Sequence, residues 1–372
     1  MTTLLASDAL IDGGRCAPGW LAIEDGLVVD RGEGGAPPGA VRLERRILSA
    51  GLVDLQCNGH GGIDVAQADG EEWAVLARSL LPTGVTSFLP TVCSGPRDAY
   101  PPVLDRIATA RAGLMAPRID GVHLEGPFLG GSPGAHPPAF LDRVDIPWLD
   151  GTLSRHPDLV RLVTLAPEAD PDLRGIRALV ERRVVVALGH SSCTYEDAVA
   201  AATAGARLVT HLGNGMRPLH QRDPGLVGAA LNCPGLTPTV IADGVHLHDA
   251  FLALVLTHRN DAILVTDAVA TGVSVFGQAV EERDGAAWLP DGTLTGSVLT
   301  LDAAVRRAVA VGVPVAVAIG MASERPARAV DLDTWGARGA GGRADLVVWD
   351  PDTLRPSEVW VDGERCWHGE AG

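Results

Sequence analysis

The strongest constraint on the fold is a series of short apolar runs that alternate with helix-like segments through the middle of the chain. Near-continuous apolar strands that alternate with helices are typical of a parallel sheet covered on both faces. Eight such units in roughly 250 residues match the (β/α)8 TIM barrel of an α/β protein. The predicted strands are residues 51–58, 84–92, 119–126, 160–167, 184–190, 207–213, 236–244 and 262–269.

The segments around these strands supply the predicted helices and one insertion. Residues 275–295, after the eighth strand, have the pattern of a hairpin-like insertion. Apolar residues at helical spacing predict helices over residues 71–81, 102–112, 195–204, 301–311 and 323–330.

Both ends of the chain have a different pattern, in which apolar and polar residues alternate and Asp-Gly turns separate short strands. Chain termini often lie close together in a domain, so we expect both ends to build one small β-sandwich domain. The predicted division is therefore a β domain from residues 1–48 and 335–372, beside a barrel domain over residues 49–334.

Composition excludes several classes of function. The formal net charge is −16 and no run of basic residues occurs, so nucleic acid and anionic membranes are not expected as partners. All 30 basic residues are arginine, which excludes a Schiff-base lysine, a P-loop lysine and a carbamylated lysine that bridges two metal ions. Hydrophobic residues make up 46% of the chain, which is ample for a buried core.

The cysteines and the N-terminus predict a cytoplasmic protein. The six cysteines are scattered without a Cys-x-x-Cys pair, which argues against a disulfide framework or a zinc ribbon. The first residues lack the basic region of a signal peptide, and no apolar run reaches the ~18 residues of a membrane helix.

Polar residues stand at the predicted C-terminal ends of the strands, where active sites of parallel barrels lie. A single histidine there is commonly structural, but His190 and His211 end neighbouring strands at matching positions, which favours a metal site. Asp267 is isolated in an apolar run and suits either a general base or a further metal ligand. The full set is Gln56, Asn58, Glu125, His190, His211, His246 and Asp267.

Two histidines and one glutamate with an open position recur as a catalytic zinc set. Such a metal polarises a carbonyl and lowers the pKa of bound water to about 7, so the sequence predicts hydrolysis of an amide or a similar bond. A divalent ion is expected, with zinc first and iron, manganese or cobalt as alternatives.

The motifs GVHLEGPFL, LGHSSCTYEDA, THLGNGM, IADGVHLHD and VTDAVATG resemble the amidohydrolase superfamily, and within it the N-acetylglucosamine-6-phosphate deacetylase family. The resemblance runs in order along nearly the whole chain. It implies hydrolysis of the acetamide of N-acetylglucosamine 6-phosphate, an amino-sugar phosphate. It also implies a homodimer.

The resemblance assigns a role to each matching residue. Glu125, His190 and His211 would hold the metal, and Asp267 would act as general base and acid. His136 would help to polarise the acetyl carbonyl. The implied binding residues for the sugar phosphate are Asn214, Gly215, Arg222 and His246, with Arg222 reaching the neighbouring subunit's site.

Two departures from the wider superfamily matter. Many members carry His-x-His at the end of the first strand, whereas this chain has Gln56 and Asn58, which resembles single-metal members; a weak second-metal position at these residues stays open. The Gly/Pro-rich loop after Glu125 lacks a lysine that many members have.

The alternatives to the deacetylase are hydrolysis of another N-acyl amino sugar or N-acyl amino acid, and a catalytically inactive binding protein.

Overall fold

The computed structural model describes residues 2–272, 274–275, 278–334, 336 and 339–369. Its centre is a nearly closed barrel of eight parallel strands, each paired with the next strand along the chain, which confirms the predicted TIM barrel. A bridge between Cys57 and Ala268 links the first strand to the end of the eighth. The barrel strands are Leu52–Cys57, Val85–Cys93, Val122–Glu125, Val160–Leu165, Val185–Leu188, Leu208–Val209, Thr237–Ile241 and Ile263–Val265.

Several strands end earlier than the apolar pattern predicts. The fifth strand ends at Leu188 and the sixth at Val209, two residues before the histidine that each apolar run contains. His190 and His211 have φ values of 47° and 31°, in the left-handed region. The chain therefore leaves the extended conformation at these histidines and starts the loops that line the site.

The helices pack around the barrel, and one of them has the predicted bounds. Tyr195–Ala204 begins after a capping box formed by Thr194 and Asp197, and Gly205 ends it in the left-handed conformation. Sequence periodicity missed Val315–Ala322, because a helix that is apolar on nearly every face has no amphipathic signal. The α-helices are Glu72–Leu80, Tyr100–Gly113, Ile146–Arg155, Arg174–Glu181, Tyr195–Ala204, Gly225–Asn232, Asp249–His258, Leu301–Ala310, Val315–Ala322 and Glu324–Ala329.

Strands from both termini form a separate β domain, as predicted. Hydrogen bonds join the seven strands into one continuous sheet, where the sequence suggested a sandwich. The join between the two ends of the chain is an antiparallel pairing of Val41–Ala50 with Leu346–Trp349. In spatial order the strands are Glu364–His368, Pro356–Val361, Leu346–Trp349, Val41–Ala50, Thr3–Asp12, Arg15–Glu24 and Leu27–Glu33.

The insertion after the eighth barrel strand borders a cavity at the C-terminal end of the barrel through Leu294, Thr295 and Gly296. It contains a three-stranded antiparallel sheet of Glu281–Arg283, Ala286–Trp288 and Leu294–Ser297. Residues 276–277 of the predicted hairpin lie outside the described residues. Over the part of the chain that the structure describes, no helix is both long enough and apolar enough to cross a membrane.

Candidate metal centre and active site

Three predicted metal ligands converge at the C-terminal end of the barrel. Oε1 of Glu125 lies 3.2 Å from Nε2 of His190 and 3.0 Å from Nε2 of His211. The two imidazole nitrogens are themselves 3.1 Å apart, and all three side chains are buried. The third, fifth and sixth barrel strands each lead into one of these residues, which explains why residues far apart in sequence meet here.

The spacing of these three atoms fits a divalent cation. Metal bonds of ~2.0–2.1 Å in a tetrahedral site place nitrogen and oxygen ligands about 3.4 Å apart, close to the observed separations. The cavity beside them is lined by Glu125 and Asp267 as its carboxylates, and none of its described lining residues is an arginine. A divalent cation at these ligands would balance the charge of the buried carboxylates.

Three of the predicted site residues share an unusual backbone conformation. His190, His211 and Asp267 have φ values of 47°, 31° and 49°. A non-glycine residue in this region costs on the order of 1–3 kcal/mol and persists where the surrounding structure enforces it. At Asp267 the enforcement is visible, because its N–H donates to the Gln56 carbonyl at 2.9 Å and its carbonyl accepts from Ser297 N–H at 2.8 Å.

Two amides from the end of the first strand hold the carboxylates in place. Nε2 of Gln56 donates to Glu125 and to Asp267, at 3.0 Å in each case. Nδ2 of Asn58 donates to the same Asp267 oxygen at 2.7 Å. Gln56 thus acts as a donor between two carboxylates, and the weak second-metal role suggested for these two positions stays a prediction.

The two buried carboxyls have opposite pKa shifts. Burial and the nearby charge of Glu125 raise the pKa of Asp267 to about 7. Burial also opposes ionisation of Glu125, but the hydrogen bonds and charge of His190 and His211 outweigh it and hold the pKa of Glu125 well below its usual range. Glu125 is therefore the permanent anion, and Asp267 is the carboxyl that can exchange a proton near neutral pH.

His136 comes from the loop after the third strand and points its ring into the site. Its ring centroid lies 4.5 Å from that of His190, and Nε2 is 3.8 Å from Oε2 of Glu125. Burial and the neighbouring His190 lower the pKa of His136 to about 3, so the ring is neutral. The backbone N–H of Ser94 points at Nδ1 from 3.4 Å, which places the ring proton on Nε2, facing the cavity.

The predicted substrate-binding residues divide into two groups. Asn214, Gly215 and His246 line the 170 Å³ cavity beside the ligands, and Nδ1 of His246 is held by Asp243 at 2.6 Å. At Gly215, φ is 57° and a Cβ atom would lie 2.7 Å from Nδ1 of His190, so only glycine fits. Arg222 is exposed and lies outside the cavity lining.

Sequence reasoning missed two contributors to the site. Cys93 ends the second barrel strand and lines the cavity, with Sγ 3.1 Å from Oδ1 of Asn58. Glu168 accepts hydrogen bonds from Gly131 N–H at 3.0 Å and Ser192 N–H at 2.7 Å, which ties the loop of His136 to the loop after His190. The strand-end rule that found Glu125 applies equally to Cys93, but the apolar pattern ended that strand one residue too early.

The barrel, the terminal β domain and this ligand set define a class of hydrolases. The chain belongs to the amidohydrolase family, whose model matches residues 47–366, and this confirms the resemblance predicted from the motifs. The family is metal-dependent, and Glu125, His190 and His211 form a group that can hold an ion.

Individual amino-sugar-phosphate deacetylases are similar to this chain over most of its length. The chain is 38% identical to N-acetylglucosamine-6-phosphate deacetylase of Mus musculus, over 99% of this chain and 93% of that protein. It is 35% identical to N-acetylgalactosamine-6-phosphate deacetylase of Escherichia coli O157:H7, over 88% of this chain and 90% of that protein. A mutant N-acetyl-D-glucosamine-6-phosphate deacetylase from Mycobacterium smegmatis, solved in complex with N-acetyl-D-glucosamine-6-phosphate, is 34% identical with a TM-score of 0.90, covering 98% of this chain and 99% of that one.

Proposed function

We propose that this enzyme hydrolyses the acetamide of N-acetylglucosamine 6-phosphate to glucosamine 6-phosphate and acetate. The observation that carries the proposal is the convergence of Glu125, His190 and His211 beside Asp267 in one cavity. The relatives that act on amino-sugar phosphates match nearly the whole chain, which supports the same substrate class here.

Glu125, His190 and His211 would hold one divalent cation. We propose zinc, because two imidazoles and a carboxylate with an open position form a recurring catalytic zinc set; iron, manganese and cobalt accept the same ligands. When bound, the cation polarises the acetyl carbonyl and makes water a better nucleophile near neutral pH.

Asp267 and His136 supply the proton chemistry in this proposal. A carboxyl whose pKa is raised to about 7 can take a proton from the attacking water and return it to the departing amine. The neutral ring of His136 can donate a hydrogen bond from Nε2–H to the oxygen of the acetyl carbonyl, where negative charge develops. Gln56 and Asn58 hold the Asp267 carboxylate in position for both transfers.

Asn214, Gly215 and His246 would bind the sugar, and Arg222 would bind the phosphate from the neighbouring subunit of a homodimer. The exposed position of Arg222 outside its own subunit's cavity supports this arrangement. Leu219, three residues earlier, is 46% exposed, as expected for an apolar residue that a second subunit covers.

The direct test is acetate release from N-acetylglucosamine 6-phosphate and from unphosphorylated N-acetylglucosamine, on protein whose metal content is measured. We expect a strong preference for the phosphorylated sugar with about one ion per chain. Arg222→Ala should raise KM for that substrate about tenfold or more, because it removes a charge-assisted contact. Arg174→Ala, on an outer helix, is the matched control. Equal turnover of both sugars would refute the phosphate assignment.

Mixed oligomers test whether Arg222 acts across the subunit interface. Co-expression of Asp267→Asn and Arg222→Ala chains should restore activity at low substrate concentration, because one site of each mixed dimer then keeps an intact Asp267 and an intact partner arginine. If Arg222 acts within its own subunit, every site in the mixture is defective and no activity returns.

N-acetylgalactosamine 6-phosphate is a second candidate substrate, because a relative of that specificity is 35% identical to this chain. The same acetate assay on this epimer decides between them. Faster release from the galactosamine substrate would keep the proposed mechanism and change the sugar.

Two further assignments stay proposals. One is the division into a β domain of residues 1–48 and 335–372 and a barrel domain of residues 49–334. The other is a cytoplasmic location, which is supported by the fact that all six cysteines are free.

A further inference from the structure

A second group of metal-binding side chains lies beside the proposed catalytic ligands. It consists of Cys93, Glu125 and His136, whose donor atoms all lie within 4.8 Å of one another. Sγ of Cys93 is 3.7 Å from Oε2 of Glu125, and Nε2 of His136 is 3.8 Å from the same oxygen. Glu125 is shared between the two groups, but its other oxygen, Oε1, faces His190 and His211.

A fourth donor completes the group. Oδ1 of Asn58 lies 3.1 Å from Sγ of Cys93, while Nδ2 of the same amide donates to Asp267. The contact with the Asp267 carboxylate therefore fixes which end of the amide faces Cys93. Tetrahedral zinc, with bonds of ~2.3 Å to sulfur and ~2.0–2.1 Å to nitrogen and oxygen, places its ligands about 3.4–3.6 Å apart, close to the observed separations.

We propose that Cys93, Glu125 and His136, with the amide oxygen of Asn58, form a second site for a thiophilic divalent cation, and that filling this site inhibits turnover. The inhibition rests on the proposed function, because Nε2 of His136 cannot coordinate an ion and also donate a hydrogen bond to the substrate carbonyl. Coordination also requires the proton to move to Nδ1, which gives up the contact with Ser94 N–H, so the second ion binds more weakly than the first.

The chemistry of Cys93 restricts the metals that this site accepts. A cation that binds Sγ of Cys93 displaces the thiol proton to solvent. Zinc, cobalt and cadmium accept a thiolate ligand, whereas magnesium prefers oxygen ligands alone.

The test is a titration of metal-free protein with cobalt, followed by absorption and equilibrium dialysis. We expect the near-ultraviolet charge-transfer band of a cobalt–thiolate bond to grow with the second equivalent of metal and not with the first. Cys93→Ser should lose this band and weaken binding of the second equivalent about tenfold or more, with the first retained. Cys233→Ser, a partly buried cysteine outside both groups, should keep the band.

A cobalt titration without a thiolate band, or a band that survives in Cys93→Ser, would overturn the second site. A band that saturates with the first equivalent would also refute it, because Cys93 would then belong to the main site. Acetate release at one metal per chain is measured separately. Its absence would refute the proposed function while the cobalt spectra still decide the second site.

Discussion

Both ends of the barrel bury charged side chains, but the partners of these side chains differ between the two ends. At the N-terminal end, Asp120 accepts from Arg343 Nη1 at 3.2 Å and from Ser87 Oγ at 2.7 Å, and Arg343 also binds Asp345 at 3.1 Å. This ion-pair cluster joins the barrel to the terminal β sheet. At the C-terminal end, Glu125 and Asp267 face imidazoles and amides, with no arginine in the cavity lining that the structure describes.

The pKa directions record the same contrast. Burial opposes ionisation of Asp120, but the charge and hydrogen bonds of Arg343 outweigh it and lower the pKa of Asp120. Burial and a second carboxylate raise the pKa of Asp267 to about 7. A buried carboxylate beside an arginine is therefore kept ionised, whereas a buried carboxyl beside a second carboxylate can exchange a proton near neutral pH.

The largest expected effect is at the C-terminal end. Asp267→Asn should lower kcat by about 10²–10⁴-fold, because it removes the group that carries the proton from water to amine. Metal content should stay at the wild-type level, since Glu125, His190 and His211 are intact. Acetate release and metal analysis on the same sample check both statements, and full activity in this variant contradicts the proposed mechanism.

The ion-pair cluster at the opposite end should respond in stability instead of activity. Arg343→Ala leaves Asp120 and Asp345 buried without their cation and should cost about 3–5 kcal/mol in the free energy of unfolding. The kcat/KM of the folded fraction should not change. Arg155→Ala is the matched control, because Arg155 pairs with Asp105 at the surface and such a pair contributes about 0–1 kcal/mol. An equal loss in the free energy of unfolding for the two variants would contradict the expected difference between the buried cluster and a surface ion pair.

The two ends should also give opposite pH dependences of stability in metal-free protein. The pKa of Asp267 is about 7 in the folded state against 3.8 ordinarily, so its stabilising contribution is complete below pH ~4 and is lost as pH rises through 7. Asp267→Asn removes this loss. As pH rises from 4 to 8, the free energy of unfolding of this variant should increase relative to wild type by on the order of 2–4 kcal/mol.

Asp120 should behave with the opposite sign, because its pKa is lowered in the folded state. Its stabilising contribution is present above its ordinary pKa and is lost as pH falls through the folded value. Asp120→Asn should therefore cost stability at neutral pH and cost less in acid. Urea unfolding at several pH values measures how the difference in free energy of unfolding between each variant and wild type changes with pH. Changes of the same sign for Asp267→Asn and Asp120→Asn would contradict the contrast between the two ends of the barrel.

The smallest expected effect concerns the loop that carries His136. Glu168→Gln keeps the size of the side chain but replaces one of its two acceptor oxygens with a donor; in the native protein Gly131 N–H and Ser192 N–H share Oε1, and Ser191 Oγ donates to Oε2. A loss of about 1–2 kcal/mol in loop positioning corresponds to roughly a tenfold decrease in kcat/KM. Metal content should not change. Glu181→Gln, at the end of an outer helix, controls for the charge change, and an unaltered kcat/KM at Glu168 would show that the loop holds its position without this anchor.

Sequence periodicity was sufficient for most of the barrel, because alternating apolar strands and helices admit few topologies. It failed for Val315–Ala322, because this helix is apolar on nearly every face and so has no amphipathic pattern. It also misplaced the strand ends at His190 and His211, since a left-handed residue interrupts a strand without changing its apolar pattern.

What the sequence by itself determined is the fold class and most of the candidate ligands, because the C-terminal ends of parallel strands meet on one side of a barrel whatever the packing details. Only the tertiary structure decided how those residues contact one another. Arg343 meets Asp120 across 223 positions, and Asn58 orients one end of its amide to Asp267 and the other to Cys93. Contacts of this kind depend on how distant segments pack, so no local pattern in the chain encodes them.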